Sequence, residues 1–423
     1  MSGRGRERVA ARLAGPVLGL ALNGFFLYIG LLELLGTFPR PALTGAWYAL
    51  IGGAMAALAW SQRATLRERI GRGGRPLALF AFTGVALAAL FLASAAFASE
   101  GDLARRLAFQ LVLWTIPAVL LALSLSRQQL DRALAVIVVL GLAFAALELV
   151  ALAQDSGADD RFSPFSELDP ITAAHIPAFA CVALLALPGG RARTALGALA
   201  LAALVAGTVL PGSRGPLLAL GVGLAVYCAA SWRTTGFRVL GAVALGGAAG
   251  LLLASQAGSS RHLISDLPRE KAAEDSRPPI SSLRIRQRLI AKALGDVAEK
   301  PLLGHGVGML VDDTPEAYRM GIAGRRTYPH NNFVEAAYSL GLVGLGLFSV
   351  ALGASLWALA VLIRRGRSDR LAVFAAAFFA FAFVNANLSG ELAAYPWSWA
   401  AAAIVLVLYA GIRPVLNEPE AAT

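Results

Sequence analysis

The chain has 423 residues, 57% of them hydrophobic and only 15% charged, with a formal net charge of +11. Soluble domains carry about 25% charged residues, but a large apolar share could also mean a large core, so the arrangement of the apolar residues decides against an ordinary water-soluble enzyme. The arginine excess stands between apolar runs rather than in one basic patch, which argues against a nucleic-acid partner. Two cysteines, Cys181 and Cys228, each lie inside an apolar run, so no disulfide framework is implied.

The apolar residues fall into runs of roughly 17–25 residues, the length that crosses a hydrocarbon core of about 30 Å. Ala and Gly are frequent in these runs, and small residues let membrane helices approach closely. A basic start with Arg4, Arg6, Arg8 and Arg12 leads into a first span near 14–35. That run is too long for a signal-peptide core and lacks a convincing cleavage site, so it reads as a retained span. Further spans fall near 42–60, 77–99, 107–125, 131–153, 171–188, 194–210, 215–231, 237–254, 333–363, 371–388 and 394–412. The expected fold is therefore all-α: a polytopic membrane protein of about 12 transmembrane helices with one long loop containing short helices. Residues 1–254 form the first nine spans, 255–332 the loop, and 333–423 the last three spans with a short tail.

With the N-terminus in the cytoplasm, the inside loops hold most of the arginines, including Arg63, Arg67, Arg127, Arg132, Arg233, Arg238, Arg364 and Arg370. The outside loops are poorer in arginine, and 154–170 is acidic. The short loops thus place both termini in the cytoplasm. Glu33, Glu148 and Glu391 fall at outer span ends, where solvation is cheap.

The 255–332 loop is the one stretch polar enough to build a small domain outside the membrane. After a flexible start and a break at Pro278 and Pro279, a helical pattern runs from about Ser282 to Glu299. Ile290, Ala293 and Val297 form its apolar stripe, with Arg286 on the same face. Arg284 and Arg288 lie about 200° away at 100° per residue. An arginine directed at packed protein needs an anion to meet it.

Three groups at the membrane boundary suit chemistry on an anionic substrate. Arg214 lies in Pro211-Gly212-Ser213-Arg214-Gly215-Pro216, Arg286 on the loop helix, and His330 opens His330-Asn331-Asn332-Phe333. Arginine binds phosphate through a paired fork that stays charged. Histidine titrates near neutrality and accepts a proton from a hydroxyl. Each also has a plainer reading. Arg214 reads equally as a snorkelling residue, Arg286 as half of a loop ion pair, and His330, Asn331 or Asn332 as a helix cap. Arg161, Arg288, Tyr328 and Asn331 are candidate substrate contacts.

Gly304-His305-Gly306-Val307-Gly308 has the glycines of a phosphate loop but no preceding strand, and reads better as a turn after the loop helix. His175 reads as a packed core residue and His262 as a loop residue. No cluster has zinc spacing, and Asp312-Asp313 is too little for a cation site, so no metal or cofactor is expected.

These motifs resemble those of the bacterial O-antigen ligase and O-antigen polymerase superfamily. Arg161-Phe162-Ser163-Pro164-Phe165 with Asp169-Pro170 is similar to that family's Arg-Gly-Phe and Asp/Asn-Pro segment, with Ser163 in place of a frequent Gly. Ser213-Arg214-Gly215 resembles its Ser-Arg-Gly turn. Arg286, Ala293-Leu294 and Pro301-Leu302-Leu303-Gly304-His305-Gly306 are similar to its Arg…Ala-Leu…Pro-Leu-x-Gly-x-Gly loop, although Ile290 stands where the family often has Trp. His330-Asn331-Asn332-Phe333 with Gly341-Leu342-Val343-Gly344 resembles its His-Asn segment entering a Gly-rich span. Residues 1–130 show no motif and contribute only spans.

The resemblance implies an inverting glycosyltransferase at the periplasmic face of the bacterial inner membrane. The donor is a glycan on undecaprenyl diphosphate, and in the ligase reading the acceptor is a hydroxyl of the lipid A–core oligosaccharide. Arg214 and Arg286 would hold the diphosphate, and His330 would orient or deprotonate the acceptor. Length and the single compact loop favour a ligase. An O-antigen or exopolysaccharide polymerase is the runner-up, followed by a protein O-oligosaccharyltransferase. A non-catalytic transporter of lipid-linked glycan would place its ionisable groups near the bilayer midplane.

Overall fold

The computed structural model describes residues 3–34, 41–98, 102–154, 170–188, 194–256, 282–313, 315–320, 323–365, 369–393 and 395–417. Arg161 and its neighbours through Asp169, His262, Pro278 and Pro279 lie outside the described residues. The helices are α1 (Gly3–Leu34), α2 (Pro41–Ser61), α3 (Arg63–Ala96), α4 (Asp102–Gln110), α5 (Ile116–Ser124), α6 (Arg127–Gln154), α7 (Pro170–Ala186) and α8 (Ala195–Val209). They continue with α9 (Arg214–Gln256), α10 (Ser282–Val297), α11 (Pro315–Met320), α12 (Asn332–Arg365), α13 (Arg370–Ser389) and α14 (Pro396–Asn417). A π-helical turn, Leu111–Thr115, joins α4 to α5.

Among the described residues, six helices are long and apolar enough to cross a membrane, accompanied by shorter apolar helices such as Pro170–Ala186 and Ala195–Val209. The described residues are overwhelmingly helical, in keeping with an all-α polytopic membrane protein. One departure lies in the loop. Val311–Asp312 (β1) and Arg325–Arg326 (β2) pair antiparallel, with Val311 opposite Arg326. Two residues per strand are too few to leave a period-2 signal in the sequence.

Glycine contacts fix the helix directions. Side-chain carbons built on Gly15 and Gly19 of α1 would meet Gln129 and Ala133 of α6 in turn, so those helices run parallel. His175 bonds Asn385 and Phe179 stacks on Phe378 at 4.4 Å, which sets α7 antiparallel to α13. Gly141 meets Ala180 and Gly207 meets Pro177, so α6 and α8 also run against α7. The long α9 serves both directions. Its first part runs antiparallel to α13, with Gly215 at Ser389 and Gly223 at Ala377, whereas Gly246 and Gly250 follow Ala202 and Ala206 of α8 in parallel. The apolar parts Arg214–Ser231 and Val239–Ser255 therefore run in opposite directions.

The second finding is a break in α12. Gly341 has φ 67° and ψ −167°, so residues 332–340 and 342–365 are two helices meeting at a left-handed glycine. The span near 333–363 is overlong for this reason. It consists of a nine-residue helix outside the apolar segment, followed by a segment of ordinary span length.

At the end of the bundle where α13 begins, arginines find acids or carbonyls. Arg370 meets Asp131 at 2.6 Å and the carbonyl of Ala186 at 2.5 Å. Arg127 pairs with Asp369, and Arg69 donates to the carbonyl of Leu123 at 3.0 Å. The opposite end carries the loop.

Candidate functional site

The loop helix α10 lies on the short first helix of α12. Leu289 and Ala293 are buried with Leu310 and Tyr338, and Ile285, Val297 and Val334 pack around them. The packed stripe is thus Ile285, Leu289, Ala293 and Val297, at a strict four-residue spacing, with Leu289 and Ala293 buried and Ile285, Val297 and the neighbouring Ile290 half-buried. Arg286 is half-buried, as its position 20° from Ala293 requires, while Arg284 and Arg288 are exposed.

The glycine-rich turn then docks into the break of α12. The amides of His305 and Gly306 donate to the carbonyls of Tyr338 and Ser339 at 2.8 and 3.1 Å. In return, the amides of Leu342 and Val343 donate to the carbonyls of Pro301 and Leu302 at 2.7 and 3.3 Å. Breaking a helix exposes such groups, and here the turn satisfies them. The two sequence motifs Pro301–Gly306 and Gly341–Gly344 are one structural joint, not a phosphate cradle. His305 belongs to it: its Nε2 lies 2.6 Å from the carbonyl oxygen of Asp296, and its ring stacks on Tyr338 at 4.8 Å. Asp313 meets Lys292 at 3.2 Å, so this acid also serves the loop's own fold.

His330 stands immediately before that helix with φ 55°, the one non-glycine residue at positive φ among those described. Such a conformation costs on the order of 1–3 kcal/mol and concentrates at functional positions. The ring of Tyr328 lies 4.4 Å from the imidazole. Asn331 is the helix cap: its Oδ1 accepts from the amides of Phe333 and Val334, both at 3.1 Å. Its carbonyl side is thereby committed to the helix, leaving only Nδ2 to meet a ligand.

Arg214 is exposed at the first turn of α9. The end of α13 and the connector that follows it join this turn to the histidine turn. A side-chain carbon on Gly215 would stand 3.1 Å from the Ser389 hydroxyl, and the Leu392 amide donates to Glu335 Oε2 at 2.9 Å. Glu335 is buried one helical turn beyond Asn331, whose carbonyl accepts from the Glu335 amide at 2.8 Å. Arg214, Arg286 and His330 are thus gathered at one end of the bundle.

The structure corrects two expectations. Glu148 and Glu391 are not solvated span ends. Glu148 is fully buried against Gly207, and the Glu391 side chain is only 11% exposed, with Arg106 at 3.9 Å. Burial raises the Glu391 carboxyl to about 6, against the opposing pull of Arg106. Residues 1–130 also do more than contribute spans. Ser94 accepts from the Val307 amide at 3.0 Å, Thr115 in the π-turn donates to the Ala393 carbonyl at 2.5 Å, and Arg106 faces Glu391. Sequence reading missed Glu335, Thr115 and Ser94 because single polar residues in apolar helices have no spacing to betray them. For Glu335 alone a signal was available, a carboxylate at the head of an apolar run.

Residues 197–349 match the model of the O-antigen ligase family. Over this stretch the chain is similar to the O-antigen ligase family, which agrees with the resemblance carried by its motifs. The match spans Arg214, Arg286 and His330 but stops short of the connector and omits α3 and α4. The three motif residues in the matched stretch are therefore framed by parts of the chain outside it. No curated protein matches the sequence.

Proposed function

We propose that the protein is an O-antigen ligase, transferring a glycan from undecaprenyl diphosphate to a hydroxyl of the lipid A–core oligosaccharide. The observation that carries this reading is the convergence of the Arg214 turn, the Arg286 helix and the strained His330 at one end of a membrane bundle. Both termini lie in the cytoplasm, so the site faces the periplasm across the bacterial inner membrane. Arg214 and Arg286 grip the diphosphate and stabilise charge as the bond from the anomeric carbon to the phosphate oxygen breaks. His330 orients the acceptor hydroxyl and takes its proton as the new glycosidic bond forms. Attack from the face opposite the leaving group inverts the anomeric centre.

The family match covers ligases and polymerases alike, so the experiment must separate them. The lipopolysaccharide of a strain lacking the gene is compared with its lipid-linked glycan pool. Bare lipid A–core with accumulated long lipid-linked polymer supports the ligase. Core bearing a single repeat, with no long polymer anywhere, makes the protein a polymerase. A transporter of the same glycan would keep most of its flux in a His330→Ala variant, whereas the enzyme loses turnover.

A further inference from the structure

In the loop, Leu289 and Leu310 are buried, but Leu302 and Leu303 are 66% and 62% exposed. The turn that carries them cannot swing aside to hide them. Its carbonyls at Pro301 and Leu302 hold the amides of Leu342 and Val343, the first residues after the break in α12. Leu342 and Val343 are themselves open, at 53% and 44% exposure. Four apolar side chains therefore meet at one seam, continuous with the exposed Val350, Leu356 and Trp357 further along the same helix.

The height of this seam follows from helix geometry. Arg364 and Arg365 close the far end of α12. At about 1.5 Å per residue, a hydrocarbon core of about 30 Å measured back from Arg364 ends about twenty residues earlier, near Gly344. Leu302 and Leu303 thus sit at the edge of the core. Exposed Lys300 stands beside them, a residue whose stem can lie along apolar surface while its ammonium reaches the headgroups.

We propose that Leu302 and Leu303 form a membrane anchor, with their side chains buried among the acyl chains of the adjoining leaflet. Apolar groups at that depth are covered by lipid without any partner protein, and the patch continues the lipid-facing side of α12. Its effect is to fix a height. The residues that follow the anchor are bonded to Tyr338 and Ser339, so the anchor ties the short helix opened by His330 to the membrane surface. The inference concerns lipid contact and holds whichever glycan the site transfers.

The test is depth measurement on the full chain in vesicles of phosphatidylcholine and phosphatidylglycerol. Leu302→Cys and Leu303→Cys are spin-labelled in a Cys181→Ala, Cys228→Ala background, with Val350→Cys as the lipid reference and Glu299→Cys as the aqueous one. Collisions with oxygen should exceed those with a water-soluble nickel chelate, as at position 350. A nickel-dominated pattern like that of position 299 overturns the proposal. So does exclusion of both reagents, which would mean a protein cover. Should the labelled variants fail to fold, the wild-type protein is photolabelled with an acyl-chain diazirine lipid. Adducts at Leu302–Leu303 are expected, and their absence beside a labelled α12 rejects the anchor.

Discussion

The amide of Leu392 donates to Glu335 Oε2 at 2.9 Å, joining the α13–α14 connector to the helix that His330 opens. A buried acceptor removed from a buried donor leaves a desolvation cost of about 1–3 kcal/mol. Glu335→Ala should therefore lower the thermal midpoint of the detergent-solubilised protein and reduce transfer. Glu335→Gln, whose amide oxygen can still accept from Leu392, should retain most of both. Equal loss in the two variants would mean that charge, not this bond, is what the position supplies.

Glu391 supplies a pH dependence whose sign is fixed. Its carboxyl is raised from 4.5 to about 6 by burial, so the folded state binds the proton more tightly than the unfolded chain. The stability this group contributes is complete below pH 4.5 and is lost as pH rises through about 6. A shift of this size corresponds to about 2 kcal/mol. Buried Glu335, raised to about 8, adds a slope of the same sign, so thermal midpoints between pH 4.5 and 6.5 should fall more steeply in the wild type than in Glu391→Gln.

The joint between the glycine turn and α12 should tolerate no side chain. A carbon added to Gly341 would lie 2.2 Å from the Leu302 carbonyl oxygen, and one added to Gly304 would lie 2.5 Å from that of Tyr338. Both residues have positive φ, where a side chain alone costs roughly 1–2 kcal/mol. Gly341→Ala and Gly304→Ala should each cost more than this in unfolding experiments. The double variant should cost less than the sum, because either one already opens the joint.

Strain at His330 gives a prediction in which stability and activity part. His330→Gly relieves the positive φ and should raise stability by about 1 kcal/mol while abolishing transfer. His330→Ala keeps the strain and should be inactive without that gain. Transfer surviving in both would remove the imidazole from the proposed chemistry.

Asn331→Ala should cost about 1 kcal/mol through the lost cap, and Asn331→Asp or Asn331→Ser should restore most of it. A transfer defect in Asn331→Ser at recovered stability would show that Nδ2 also meets substrate.

The sequence by itself determined the all-α membrane class, the position of each apolar run and the residue types that suit an anionic substrate. These are local properties: apolar length is set by bilayer thickness, and a helix face is set by a fixed 100° step. Arg286, half-buried while Arg284 and Arg288 are exposed, was legible for that reason. Which residues share a site was decided only by the tertiary structure. Gly304 and Gly341 look like separate motifs until the backbone bonds between them are formed. Glu391 looks like a solvated span end until Arg106 and the connector close around it. The physical reason is that burial and long-range hydrogen bonds depend on how helices far apart in sequence pack together, and one polar residue in an apolar run carries no period from which that packing can be read.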